Sequence, residues 1–318
     1  VDRYLRLLER LAIPQNRIGL NVFRVCAGCL ILLQYLLNYP QRHFLFGPNG
    51  AYPFELSVSL APVFSLYHLS SSPLVFEVLF HTGIVLTLGW VCGIKTRLLT
   101  PLTLLFWISL RQTNTMLWDG GDNLMQLVLI YAMFADLSPL RPGERDQRAP
   151  RSTWATITGL VHNAAVLAMA LQVCVLYGVS ALAKVQGDTW QNGTALYYAL
   201  WPEQFRFPGV TEHLLRSAPL LSLLSHATVF FQVSFPFLYL LNRRTRHFAV
   251  LMAISFHLGI AGMMGLFTFA GFMITADLAL IGDSGYLAVA RLARSAWRRL
   301  SPKARPSFSI EQAAPSPQ

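Results

Sequence analysis

The chain has 318 residues, of which 54% are apolar and 13% charged, and its mean hydropathy is +0.45. Soluble domains carry roughly 25% charged residues, so a soluble enzyme or binding module of ordinary composition is excluded. The formal charge of +10 would suit nucleic acid, but the basic residues sit at the ends of apolar blocks. There they act as topology signals, and nucleic acid is not an expected partner.

In chain order, residues 1–16 come first as an amphipathic segment carrying Arg3, Arg6 and Arg10, with no cleavable signal. Apolar blocks follow, each about 20 residues long, the length that crosses roughly 30 Å of hydrocarbon at 1.5 Å per residue. Lipid offers the backbone no hydrogen-bond partner, so such blocks must be helices or barrel strands. The ~10-residue alternation of barrel strands is missing. The blocks therefore predict helices at about 18–39, 73–94, 97–115, 123–140, 157–184, 219–241, 246–265 and 267–285.

The expected fold is an all-α, polytopic membrane helix bundle with about eight spans and both termini in the cytoplasm. Its parts are a cytoplasmic segment (1–16), a transmembrane domain (17–286) and a basic, disordered cytoplasmic tail (287–318). Orientation follows from charge. Nineteen of the 25 Lys and Arg residues fall in alternate segments: Arg3 to Arg17, Lys95 and Arg97, Arg141 to Arg151, Arg243 to Arg246, and Arg291 to Arg305. The intervening loops hold few basic residues and most of the loop acids. Two of these outer loops, 40–72 and 185–218, are long and rich in Pro, Gly, Trp and Tyr, as suits caps lying at the interface.

The four cysteines, Cys26, Cys29, Cys92 and Cys174, lie inside apolar blocks, which excludes a secreted disulfide framework. Cys26 and Cys29 share one helix face and read as packing residues. The eight histidines show no tight metal-ligand spacing, so no metal is expected, and no glycine loop could cradle a phosphate.

The informative residues are those that hydrocarbon should not tolerate. A charged side chain at the centre of a span costs at least ~2.5–3.5 kcal/mol, so each needs a partner or a role. Arg24, Asp136 and Asp277 fall toward the inner half and read as a structural ion pair, Arg24 with one of the two aspartates. Glu77 and His81 share one face of the second helix at i, i+4. Arg111 and Asn114 end the third helix, with Asp119 and Asp122 just beyond; Lys184 ends the fifth, and His257 lies near mid-depth on the seventh. These four helices aim titratable groups at one outer-half layer, which predicts a shared cavity there.

Several of these residues belong to ordered motifs. They are Leu45-Phe46-Gly47-Pro48-Asn49-Gly50, Gly93-Ile94-Lys95-Thr96-Arg97, and Ser109-Leu110-Arg111-Gln112-Thr113-Asn114 with Asp119-Gly120-Gly121-Asp122. Next come Tyr177-Gly178-Val179-Ser180-Ala181-Leu182-Ala183-Lys184 with Trp190-Gln191-Asn192-Gly193-Thr194-Ala195, then Phe235-Pro236-Phe237, Phe256-His257-Leu258-Gly259-Ile260 and Gly265-Leu266-Phe267-Thr268-Phe269. Over about residues 15–285 the chain resembles the HTTM family, the membrane domain similar to the vitamin K-dependent γ-carboxylase.

The resemblance implies a lyase-like enzyme that binds a reduced, vitamin K-like quinone and oxygenates the quinol with O2. The strong base so formed makes a carbanion to which CO2 adds. It makes Lys184 the base and His257 the holder of the quinol or its intermediate. His81 and Glu77 are the further catalytic candidates, and Arg111, Asn114, Asp122 and Trp190 the substrate-binding ones. A lysine can be such a base only where burial or a nearby cation favours its neutral form. Small bacterial relatives of this domain include a factor needed to mature a secreted peptide toxin. The expected partners are therefore membrane lipids, a lipid-soluble quinol and a secreted peptide, and the expected location is a bacterial plasma membrane. Two alternatives stand beside the enzyme. One is a non-enzymatic membrane factor for peptide maturation, export or immunity. The other is a transporter using Arg24, Asp136 and Asp277 as a charge relay.

Overall fold

The computed structural model describes residues 2–61, 63–140 and 152–300, and among them every regular element is helical. Helix α1 (Asp2–Leu11) precedes α2 (Arg17–Leu37). A cap follows, with the short helices α3 (Arg42–Phe46) and α4 (Phe54–Leu60), and then α5 (Pro73–Val91), α6 (Thr96–Gln112), α7 (Gly120–Ala132) and α8 (Thr153–Val185). A second cap carries α9 (Asp188–Gln191), α10 (Ala195–Leu200) and α11 (Thr211–Leu215). The chain then returns through α12 (Ala218–Leu241), α13 (Arg243–Met264), α14 (Phe267–Ala279) and α15 (Asp283–Leu300).

Local chemistry sets the boundaries. Asp119 accepts from the amides of Gly121 and Asp122 while Asp122 reaches back to the Asp119 amide, a capping box that starts α7. Asn242 and Thr245 do the same for α13. Gly265, at φ 70°, ends α13 in a left-handed turn that no β-carbon favours. Helices α6 and α12 run through Pro101 and Pro236.

Five helices, α2, α5, α8, α12 and α13, are long and apolar enough to cross a membrane, and a sixth span results if α14 and α15 count as one bent pair. This makes the chain a multi-pass membrane protein, with fewer helices of spanning length than the eight expected. Helices stand at all eight positions, but α6 has 17 residues and α7 and α14 have 13 each. Thirteen residues reach only about 20 Å, short of the hydrocarbon thickness. The short helices are internal: more than half of α14 is buried, including Phe272, Met273, Thr275 and Asp277, where it packs against α2, α7 and α13. Such helices are apolar all round because protein surrounds them. The long helices turn apolar stripes outward, as with Leu167, Leu171, Val175, Val179 and Leu182 on α8 and Phe230, Phe237 and Leu241 on α12. Water would reject that surface; hydrocarbon accepts it.

Helices α2 and α5 approach closely through small residues. A β-carbon at Gly28 would meet the Trp90 ring at 3.2 Å, and one at Gly83 would meet the Tyr35 ring at 2.9 Å. One end of the bundle gathers the N-terminus of α2, the α5–α6 turn with Lys95 and Arg97, and the start of α15. There Asp283 accepts from the amides of Arg17 and Ile18, at 3.2 and 2.8 Å. The basic segment 141–151 and residues 301–318, with Lys303 and Arg305, lie outside the described residues. The tail expected to be disordered from 287 is helical through Leu300.

At the opposite end the first cap folds over α5 and α6. Ser65 Oγ donates to the Ser109 carbonyl at 2.8 Å, and the half-buried His68 meets Ser57 Oγ at 2.8 Å. Burial lowers the pKa of His68 from its ordinary 6.5. A histidine held neutral by the fold contributes stability in full above that value and loses it as pH falls below it. Amide protection across residues 54–70, taken relative to the intrinsic exchange rate at each pH, should therefore fall between pH 7 and pH 5, and His68→Gln should remove the dependence. A cap equally protected at both pH values would show that His68 does not hold it.

Candidate functional site

The polar side chains expected to share one chamber divide into separate clusters. Glu77 takes Arg42 from the cap (Nη2 at 2.8 Å, Nε at 3.0 Å), His43 at 2.6 Å and its own helix neighbour His81 at 3.2 Å. His81 also meets the Glu77 carbonyl at 2.8 Å and the Tyr39 hydroxyl at 3.1 Å. This half-exposed knot ties α3 to α5. It consumes both catalytic candidates of that helix.

Arg111 and Asp122 form a second, buried unit. The guanidinium binds the Asp122 carboxylate and the Leu117 carbonyl, Gln34 donates to Asp122 at 2.9 Å, and Trp107 donates to Gln34 at 2.9 Å. Asn114 donates to the Leu45 carbonyl at 3.1 Å, and Trp118 to the Arg111 carbonyl at 2.7 Å. Here the resembling motifs at 45–50, 109–114 and 119–122 meet each other. They build the junction of α2, α6, α7 and the cap.

The expected inner ion pair is corrected. Arg24 meets neither aspartate; its guanidinium donates to the carbonyls of Trp90 (2.7 Å) and Val91 at the end of α5, where a cation suits the helix dipole. Asp136 pairs instead with Arg17 at 3.5 Å and accepts from Ser138 Oγ at 2.5 Å. Among the described residues no cation pairs with Asp277.

What Asp277 has is Tyr177. The phenol lies 3.2 Å from Asp277 Oδ2 and 2.9 Å from His257 Nε2, and all three side chains are buried. They come from α14, α8 and α13, three helices that pack together. The rings of Phe231, Phe235, Phe256 and Phe269 enclose them. A phenol carries one proton, so the row has two consistent states. With a charged carboxylate, Tyr177 donates to Asp277 and accepts from His257 Nε2–H, which leaves Nδ1 a free base. With the carboxyl protonated, the acid donates to Tyr177, the phenol donates to Nε2, and Nδ1 carries the hydrogen. Among the described residues His257 Nδ1 has no hydrogen-bond partner. The two states differ by one proton: one taken up at Nδ1 is answered by a shift of Nε2–H to the phenol and of the phenol's hydrogen to Asp277, and one given up there reverses the shift.

Beside this row runs a cavity of about 330 Å³ between α12 and α13, roofed by Leu196 and Leu200 of α10. Phe231, Met252, Phe256, Gly259 and Met263 line it, and Thr228 and Ser255 are the polar side chains among its walls. Phe231 and Phe256 belong to both structures: their far edges touch Tyr177 and His257, with ring centroids 5.4 and 5.0 Å away.

Lys184 stands apart, two turns along α8 from Tyr177. Its amine donates to Ser180 Oγ at 2.6 Å and lies 5.1 Å from the Trp190 ring, while Ser180 donates to Gln232 at 3.3 Å. Of the expected site residues the structure brings Lys184 to Trp190, Glu77 to His81, and Arg111 to Asp122; His257 joins none of them, and Asn114 only borders the Arg111 unit. Tyr177, the hub of the buried row, escaped a search restricted to ionisable residues. A hydroxyl in the middle of an apolar helix was the signal that could have found it. Compared with known proteins, the chain matches no family model, no curated protein and no solved structure.

Removing Arg111 would leave Asp122 buried without its cation. Arg111→Met should cost about 3–5 kcal/mol, and Arg111→Met with Asp122→Leu should recover more than half of it. Denaturation in detergent measures both, and equal losses would show that the pair has no mutual dependence.

Proposed function

We propose that this protein admits a lipid-soluble molecule sideways from the bilayer into the cavity between α12 and α13, and that the Tyr177–His257–Asp277 row supplies or removes a proton there. The observation that carries the reading is the shared wall. Phe231 and Phe256 line an apolar cavity on one side and cover a buried acid–phenol–imidazole row on the other. The volume lies at the lower end of the range for small-molecule pockets, ~300–1,000 Å³. Such a cavity fits an isoprenoid or acyl chain better than a polar metabolite.

The HTTM resemblance supports a quinol as the occupant, with O2 and CO2 as co-reactants and a peptide as the group modified. In this reading His257 is the base nearest the cavity. The base role that the resemblance gives to Lys184 requires a substrate headgroup extending along α8 past Ser180.

Two measurements on the chain in nanodiscs test the proposal. A photoreactive quinol with an isoprenoid tail should label peptides from α12 and α13, unlabelled quinol should compete, and Gly259→Phe should reduce labelling at least tenfold. With the quinol and O2 supplied, His257→Gln should retain labelling and lower oxygen uptake by about 10²-fold or more, the usual contribution of a general base. Lys184→Ala reads the lysine role in the same assay. Label spread evenly over the outward faces of α5, α8 and α12 would end the cavity reading. If the cap at 185–218 must then be intact for function while His257→Gln is silent, the non-enzymatic peptide factor takes its place.

A further inference from the structure

Helix α15 leaves α14 at an angle of 103°. Helix α14 runs along the bundle, packed on α2, α7 and α13, so α15 runs across it, close to the plane a membrane surface would occupy. The first turn of α15 is anchored. Asp283 caps the start of α2, and Tyr286 donates to the Leu278 carbonyl at 2.8 Å. Beyond that turn the helix is uncovered by any described residue: Val289, Leu292 and Trp297 are 66%, 69% and 72% exposed.

The exposure is not scattered. At 100° per residue, Val289, Leu292, Ala293, Ala296 and Trp297 fall within one arc of somewhat under half the circumference. Arg291, Arg294 and Ser295 fall on the other, and the sequence adds Arg298 and Arg299 in the final turns. The helix starts at the end of the bundle that carries Lys95 and Arg97. Helix α1 sits at this end too, tied by Asn163 to the Leu11 and Ile13 carbonyls, with Tyr4, Leu8 and Leu11 exposed at matching helical spacing.

We infer that α15 is an interfacial helix that lies in the headgroup layer of the leaflet at the basic end, with Val289, Leu292 and Trp297 in the acyl boundary and its arginines against anionic lipid headgroups. Apolar area and basic charge combine in this way in helices that lie on a membrane rather than cross it. Charge complementarity selects the lipid class. A neutral surface would take the apolar arc and leave Arg291 and Arg294 unanswered.

Hydrogen exchange on the full-length chain tests this, with one copy per nanodisc. Amides of residues 287–297 should exchange about tenfold or more slowly in discs of phosphatidylcholine with phosphatidylglycerol than in phosphatidylcholine alone, the scale expected from several guanidinium groups near an anionic surface. High salt should erase the difference. Arg291→Gln with Arg294→Gln, both on exposed positions, should reduce it while protection of α2 and α14 stays unchanged. Exchange indifferent to lipid charge would overturn the assignment. So would protection that appears only when two copies share a disc, since the apolar arc would then be a contact between chains.

Discussion

A bilayer interior answers no hydrogen bond and solvates no charge. The buried charged groups of this chain have therefore to find partners on neighbouring helices, and those partnerships decide how the helices pack. Arg111 on α6 needs Asp122 on α7, which needs Gln34 on α2, which holds Trp107 of α6 in turn. Three helices are fixed by one closed chain of donors and acceptors. At the other end Arg24 of α2 finds the last carbonyls of α5, so a guanidinium meets the negative end of a helix and needs no carboxylate.

The same constraint divides the helices into two kinds. The outer ones face hydrocarbon along stripes of Leu, Val and Phe, and must be long enough to cross it. The inner ones, α7 and α14, are sheltered by protein and can be short. They hold the fully enclosed acids, Asp122 and Asp277. A charge-bearing residue on an outer helix can meet water or headgroups at its ends. One on α14 can meet only what the bundle supplies, and there the bundle supplies a phenol and an imidazole.

Much of this was legible in the sequence, and the reasons are local. Block length and composition gave helices at all eight positions, because a run such as 157–184 has no other way to satisfy its backbone in lipid. Turn chemistry at Asp119, Asn242 and Gly265 is written in single residues. Partner identity was not legible. Arg24, Asp136 and Asp277 were expected at one depth, and depth alone leaves the azimuth open. Arg24 faces α5, Asp136 faces Arg17, and Asp277 faces α8. Span number was not legible for a related reason: hydropathy marks α14 as apolar without saying whether lipid or protein surrounds it. Glu77, Arg111, Lys184 and His257, expected in one layer, each turn to a different neighbour, and His257 shares a row with Asp277, which was expected in the other half.

That division bears on chemistry. The charged clusters, Glu77 with Arg42 and Arg111 with Asp122, are closed: each ion is held by its opposite, and using either as an acid or base would break a structural joint. The Tyr177–His257–Asp277 row is the reverse. It contains no permanent cation, its phenol can donate in either direction, and one imidazole nitrogen is left over. A row of this kind moves a proton while keeping each oxygen and nitrogen bonded, so little reorganisation accompanies the transfer. Its place behind two aromatic rings of an apolar cavity is where a proton is hardest to obtain from water. Among the described residues no other titratable group lies behind that cavity wall.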